Sequence, residues 1–218
     1  MLDNWLSKTK IRNIIEKFVK KIFFGRISAN KLTLIGLVLG LSSAFFIFLS
    51  AKIQYTFELI IIAAILMTLS FFFDALDGIL ARLEGQTVFG GILDIFCDRT
   101  VEVFIIIALI STDPEVLVWP GIFSLGAIIL CITMFLVVGG AIKAEELDET
   151  QKVIYYRRGL MERFETYIFL MILTLIIPFR LIILWLFAIL IFITAILRFR
   201  DAYLIFKPKS DMSESEKV

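Results

Sequence analysis

The chain is a series of long apolar blocks separated by short polar breaks, running over 32–51, 57–80, 88–110, 116–142, 164–179 and 181–197. Backbone in hydrocarbon has no water to bond to, so a block of about 20 apolar residues reads as a membrane-spanning helix. The first four blocks are long enough by themselves. The last two are shorter and are separated by "PFR" at Pro178–Arg180, which suits the tight turn of a helical hairpin. The fifth gains length if it begins in an amphipathic turn near Tyr155. The chain is 60% hydrophobic, well above the roughly 45–50% of soluble domains. The expectation is an all-α membrane protein with six transmembrane helices.

Three segments follow. Residues 1–27 carry Ile11, Ile14, Ile15, Phe18, Val19, Ile22 and Phe23 at helical spacing, with Lys8, Lys10, Lys17, Lys20 and Lys21 on the remaining surface. That pattern predicts an amphipathic helix lying in the membrane interface, either as an anchor or as a wall that guides an anionic lipid. Residues 28–206 hold the six spans. Residues 207–218, within "KPKSDMSESEKV", are polar and predict a disordered tail.

Net charge is only +1, but the cations are unevenly placed, and no nucleic-acid partner is expected. Lys and Arg crowd residues 8–31, the loop over 143–163 and the stretch 198–209, while the opposite loops hold only Lys52 and Arg180. The positive-inside rule puts both termini and the 143–163 loop in the cytoplasm of a multi-pass cell-membrane protein. Cys97 and Cys131 both fall inside predicted spans, form no disulfide framework and read as inert buried thiols. Gly36 and Gly40 are a small-xxx-small pair that predicts close helix packing, within the chain or between copies.

Against this background Asp74, Asp77, Asp94 and Asp98 are costly. A carboxylate in a bilayer costs about 2.5–3.5 kcal/mol on insertion scales, and only Arg82 and Arg99 accompany the four. Protonation or a divalent cation must compensate, and the spacing favours the cation. Asp74 and Asp77 are three apart on the second span, and Asp94 and Asp98 four apart on the third, so each pair shares a helical face. The short break around Glu84–Thr87 makes these spans antiparallel neighbours, which brings the two faces together at similar depth. Oxygen ligands suit Mg²⁺, Mn²⁺ or Ca²⁺, and a chain with no histidine is a poor zinc binder. At 1.5 Å per residue Asp94 and Asp98 lie roughly 6–15 Å below the cytoplasmic end of the third span, and Asp74 and Asp77 lie in the cytoplasmic third of the second. That describes a cavity open to the cytosol. Gly78, Ala81 and Gly90 leave room beside them for a ligand to approach backbone, and Arg82 supplies a cation suited to phosphate at the cavity mouth.

The stretch reads D-x2-D-G-x2-A-R-x7-G-x3-D-x3-D on Asp74, Asp77, Gly78, Ala81, Arg82, Gly90, Asp94 and Asp98. It resembles the signature of the CDP-alcohol phosphotransferases, membrane enzymes of phospholipid synthesis, with a spacer before Gly90 shorter than the family form. "ISANKLTLIGLVLGL" at Ile27–Leu41 also resembles the family's lead into its first span. The resemblance implies that Asp74, Asp77, Asp94 and Asp98 hold Mg²⁺ or Mn²⁺, with Asp98 also the general base on an acceptor hydroxyl. It implies that Gly78, Ala81, Arg82 and, on the first span, Thr33 bind the CDP moiety of a CDP-linked lipid, that CMP leaves, and that the enzyme is a homodimer. Glu102 continues the Asp94–Asp98 face; it either contacts the acceptor, tunes Asp98, or is a deeper carboxyl that is protonated or paired with Arg99.

Lys143, Lys152, Arg157, Arg158 and Arg163 gather in and beside the 143–163 loop. They are either positive-inside charge or a pocket for a phosphorylated alcohol. "GLMERFE" at Gly159–Glu165 resembles the segment of family members that use inositol phosphate or related phospho-alcohols, and the expectation is inositol phosphate or glycerol 3-phosphate. The alternatives are an unphosphorylated acceptor such as serine or inositol, or a CDP-choline or CDP-ethanolamine type of donor. An intramembrane cation or proton transporter is the rival of a different class. It is disfavoured because all four aspartates lie in one hairpin on one side, and no internal repeat is present.

Overall fold

A computed structural model of the chain describes residues 10–53, 56–144 and 163–206, with residues 10–14 and 142–144 described as backbone only. All regular structure there is helical: α1 (Lys10–Ile22), α2 (Ala29–Ser50), α3 (Thr56–Glu84), α4 (Val88–Thr112), α5 (Pro114–Ala144), α6 (Arg163–Leu175), a 3₁₀ turn at Ile177–Phe179, and α7 (Arg180–Phe206). Each of the six apolar blocks falls on one of these helices. Four helical stretches are long and apolar enough to cross a membrane: Ala29–Ser50, Thr56–Glu84, Pro114–Ala141 and Ile177–Phe206. The other two fall short for different reasons. α4 has 25 residues, but Asp94, Asp98, Arg99 and Glu102 interrupt its apolar run. α6 has only 13 described residues; its expected beginning near Tyr155 lies outside the described part, as does the 207–218 tail.

The described residues of Met1–Val118 and Tyr167–Arg180 form one compact unit, and those of Trp119–Thr166 and Leu181–Val218 a second. In the first, α2 packs along α3 and α4, and α1 against α3. Buried serines set the antiparallel register of α2 and α3. Ser43 donates to the Ala63 carbonyl at 2.8 Å and Ser70 to the Gly36 carbonyl at 2.7 Å. In hydrocarbon such hydroxyls need a partner, and a neighbouring helix's carbonyl provides it. α1 buries Val19 in a cluster with Ala29, Leu32, Leu76 and Leu80, while Phe18, Lys17, Lys20 and Lys21 stay exposed. The amphipathic pattern thus has a side that docks on α3, the helix of Asp74 and Asp77.

The small-residue pair of α2 packs within the chain. A Cβ on Gly40 would stand 2.5 and 2.6 Å from the two methyls of Val101 and 3.0 Å from Ser70 Oγ, whereas one on Gly126 in α5 would meet nothing within 4 Å. Gly40→Val should therefore cost about 1–3 kcal/mol as an overpacking change and lower the apparent melting temperature in detergent. Gly126→Ala should leave it level or raise it, since alanine is the better helix former. Equal melting temperatures for wild type and Gly40→Val would contradict this packing.

Arg180 is more than the polar turn residue that "PFR" suggests. It is 6% exposed and donates to the carbonyls of Leu173 and Thr174 at 2.8 and 2.9 Å and to the Thr112 hydroxyl at 3.0 Å. The last carbonyls of a helix have no partner within it. One guanidinium closes those of α6 and ties them to the end of α4. In the second unit, Phe123 packs on Trp185 with ring centroids 5.4 Å apart, and Val138 and Ile205 are buried together beside Ala202 and Phe206.

Candidate metal and nucleotide site

The aspartates flank a tight connection. α3 ends at Glu84, and Gly85 follows with φ +97°, a left-handed conformation that glycine takes without strain. Thr87 then caps α4, its hydroxyl accepting from the Gly90 N–H at 3.0 Å. Glu84 does a further job: its Oε2 accepts from the Ala29 N–H at 3.1 Å. A carboxylate at a helix N-terminus meets unpaired N–H groups and the positive end of the helix dipole. Ser28, which precedes α2, makes no side-chain cap of its own. The bond to Glu84 therefore fixes the start of α2 beside the end of α3.

This frame brings Asp74 from α3 together with Asp94 and Asp98 from α4. Each is half-buried, and each offers a carboxylate oxygen such that all three atoms lie within 4.8 Å of one another. Two oxygens on one Mg²⁺ at about 2.1 Å stand at most about 4.2 Å apart. The group is thus within an ångström of the separation one hard divalent cation imposes. An all-carboxylate donor set in a chain without histidine suits such an ion.

Asp77 lies beside that trio, near Asp94 and Asp98, but is not one of the three closely spaced oxygens. It is 4% exposed, its Oδ2 has no hydrogen-bond partner, and the Thr33 side chain lies against its carboxyl. Thr33 itself is buried and donates to the Ala29 carbonyl at 3.1 Å. An orphaned carboxylate oxygen in a helix interface is expensive unless something cationic reaches it. That orphan is a second reason the site fits a cation.

The small residues divide into two kinds. A Cβ on Gly78 or Gly91 would meet nothing within 4 Å, so open space lies beside both. One on Gly90 would meet Thr87 Oγ1 at 2.9 Å and Asn30 Oδ1 at 3.2 Å. Protein, rather than space for a ligand, lies against Gly90, and its smallness lets α4 start beside α2. Ala81 packs against the Val19–Leu80 cluster, and Arg82 is exposed in the last turn of α3. Glu102 is buried, with Oε2 2.5 Å from Arg99 Nη1. Cys97 is buried close to Asp94 and Asp98, and Cys97 and Cys131 are free thiols.

Of the expected acceptor residues, Arg163 begins α6 and is half-buried. Lys152, Arg157, Arg158 and the Lys143 side chain lie outside the described residues. Sequence reasoning missed Glu84 and Asn30, because the contacts they make join segments about 55 residues apart, and no local spacing signals them.

The sequence matches the CDP-alcohol phosphatidyltransferase family over residues 26–199. The archaetidylinositol phosphate synthase of Pyrococcus horikoshii is 33% identical over 103 residues, 47% of this chain and 50% of that one, so the chain spans about half the length of that curated relative. In three dimensions the chain is similar to phosphatidylinositol phosphate synthase of Mycobacterium tuberculosis, crystallised with CDP-DAG bound. The TM-score is 0.65 at 20% identity, covering 88% of this chain and 94% of that one. At that identity the likeness is one of fold.

Proposed function

Since the chain belongs to the CDP-alcohol phosphatidyltransferase family, a family of multi-pass membrane enzymes, we propose that it transfers a phosphatidyl-type group from a CDP-linked lipid to a phosphorylated alcohol and releases CMP. The observation that carries this reading is the carboxylate group of Asp74, Asp94 and Asp98, with the orphaned Asp77 oxygen beside it. These four would hold Mg²⁺ or Mn²⁺. A bound divalent cation supplies charge neutralisation for the pyrophosphate and the departing CMP. Gly78, with open space at its Cα, Ala81, Arg82 and Thr33 form the CDP side of the pocket. Arg82, exposed at the helix end, is suited to a phosphate oxygen.

Asp98 is the general base. It takes the proton of the acceptor hydroxyl, the alcohol oxygen bonds to the lipid-side phosphorus, and the bond from that phosphorus to the CMP oxygen breaks. All six apolar blocks span the membrane, with both termini and the site on the cytoplasmic side. α1 lies in the membrane interface, and the enzyme works as a homodimer.

The curated relative named above is an archaetidylinositol phosphate synthase, which favours inositol phosphate over glycerol 3-phosphate as acceptor, held by Arg157, Arg158, Arg163 and Lys143. The test is CMP release in detergent from CDP-diacylglycerol and its ether-lipid counterpart, with inositol phosphate, glycerol 3-phosphate, free inositol and serine each as acceptor. Release is expected with a phosphorylated alcohol and not with free inositol or serine. Release with serine alone would sink the acceptor assignment, and release with none of them the transferase reading. Arg157→Ala, Arg158→Ala and Arg163→Ala should each raise the acceptor KM by about 10- to 150-fold, the equivalent of about 1.5–3 kcal/mol for a hydrogen bond to a charged group. The KM for CDP-lipid should stay near wild type; a parallel rise in both KM values contradicts a separate acceptor pocket.

A further inference from the structure

Arg99 and Glu102 take no direct part in the transfer step. Glu102 lies one turn beyond Asp98 on α4 and is 7% exposed. Its Oε2 is 2.5 Å from Arg99 Nη1, while Arg99 Nη2 is 4.0 Å from Asp98 Oδ2. One guanidinium thus pairs closely with a buried carboxylate through Nη1 and stands at ion-pair distance, beyond a hydrogen bond, from a carboxylate of the cation group through Nη2. The arginine fork is rigid and presents several donors at once. Glu102 is confined by burial, so it fixes where the fork sits, and the fork then limits which way Asp98 can turn. We propose that Arg99, anchored by Glu102, is a positioning residue that orients the Asp98 carboxylate within the cation-binding group. The proposal rests on Asp98 being a ligand and base as read above.

The competing account is that Arg99 only neutralises Glu102 inside the helix bundle. The two differ in what happens when both residues are replaced together. Arg99→Met/Glu102→Leu removes one positive and one negative charge, so the net charge around the aspartates is unchanged. A buried ion pair exchanged for apolar residues of similar size is often neutral or stabilising, and the double variant should melt at or above the wild-type temperature. If the pair only neutralises itself, nothing else changes. If it positions Asp98, the protein loses an outer partner of a metal ligand, which typically costs 10- to 100-fold in metal affinity or activity.

The experiment uses full-length protein in detergent and two readouts: Mn²⁺ affinity by electron paramagnetic resonance without any lipid substrate, and CMP release at saturating Mn²⁺. The double variant is expected to bind Mn²⁺ about 10-fold more weakly and to turn over about 10- to 100-fold more slowly. In an Asp98→Asn background the same double exchange should add little further loss, because the pair acts through Asp98. Arg99→Lys keeps the charge but not the fork, and should fall between wild type and the double variant. Wild-type Mn²⁺ affinity and turnover in the double variant overturn the proposal, as does a loss of the same size in the Asp98→Asn background. Wild-type protein that binds no Mn²⁺ or releases no CMP overturns instead the reading on which the proposal rests.

Discussion

EDTA treatment takes CMP release below detection, and Mg²⁺ or Mn²⁺ restores it: this is the expected result that bears most directly on the four aspartates. The physical reason is charge. Asp74, Asp94 and Asp98 present oxygens within 4.8 Å of one another. Two unit charges at about that separation repel by about 3–4 kcal/mol at an effective dielectric of 20, and the trio contains three such pairs. A pyrophosphate brought to this place without a cation adds further negative charge to the same volume. A divalent cation held there would offset two of the three charges and would supply direct charge neutralisation to the pyrophosphate and the departing CMP oxygen. The loss should therefore be complete rather than partial. It should be matched by loss of the protection that CDP-lipid gives against thermal unfolding. Full turnover in metal-free buffer would show that the carboxylates serve some other purpose.

The aspartates were legible in the sequence because they break a strong rule. In an apolar chain each ionisable residue needs a reason, and the i, i+3 and i, i+4 spacings of Asp74, Asp77, Asp94 and Asp98 put the pairs on faces that a short turn folds together. The helices were legible for a related reason, since α2, α3, α5 and α7 each contain a long apolar stretch with few charges. α4 obeys both rules at once: its site residues interrupt the run that would otherwise mark it as a span. Side-chain rotation lay beyond reach. Spacing puts Asp77 on a common face with Asp74, but one step of three residues still turns the helix by about 60°, and here Asp77 falls outside the closely spaced trio, with the Thr33 side chain against its carboxyl. Contacts between distant segments were equally hidden. Nothing near Glu84 signals that it caps a helix beginning at Ala29, and nothing near Gly90 signals that Asn30 lies against it. Arg180 was read from its neighbours as a turn residue, and only the fold shows its fork filled by three acceptors.

Asp98→Asn separates mechanism from family membership. The amide keeps the shape of the side chain and one oxygen that can face a cation, but it accepts no proton at neutral pH. General-base catalysis contributes about 10²–10⁴-fold, so kcat at saturating metal should fall by about that factor. CDP-lipid should still protect the variant against unfolding, since Asp74, Asp77 and Asp94 remain. Asp74→Asn acts on the other side of the cation group, on α3. It should weaken metal binding and nucleotide protection together with turnover. Both variants should stay folded, because each removes a negative charge from a place where negative charges crowd. The contrast carries the information: one substitution lowers the chemical step with binding kept, and the other lowers both. Turnover of Asp98→Asn at the wild-type rate removes Asp98 as the base. Loss of ligand protection as complete as in Asp74→Asn makes it chiefly a metal ligand. In either case Glu102 is a poor replacement, since its carboxylate is held by Arg99. Asp77, whose buried oxygen has no hydrogen-bond partner, is the next base to test: if Asp98→Asn turns over at the wild-type rate, Asp77→Asn should show the kcat loss that Asp98→Asn lacked.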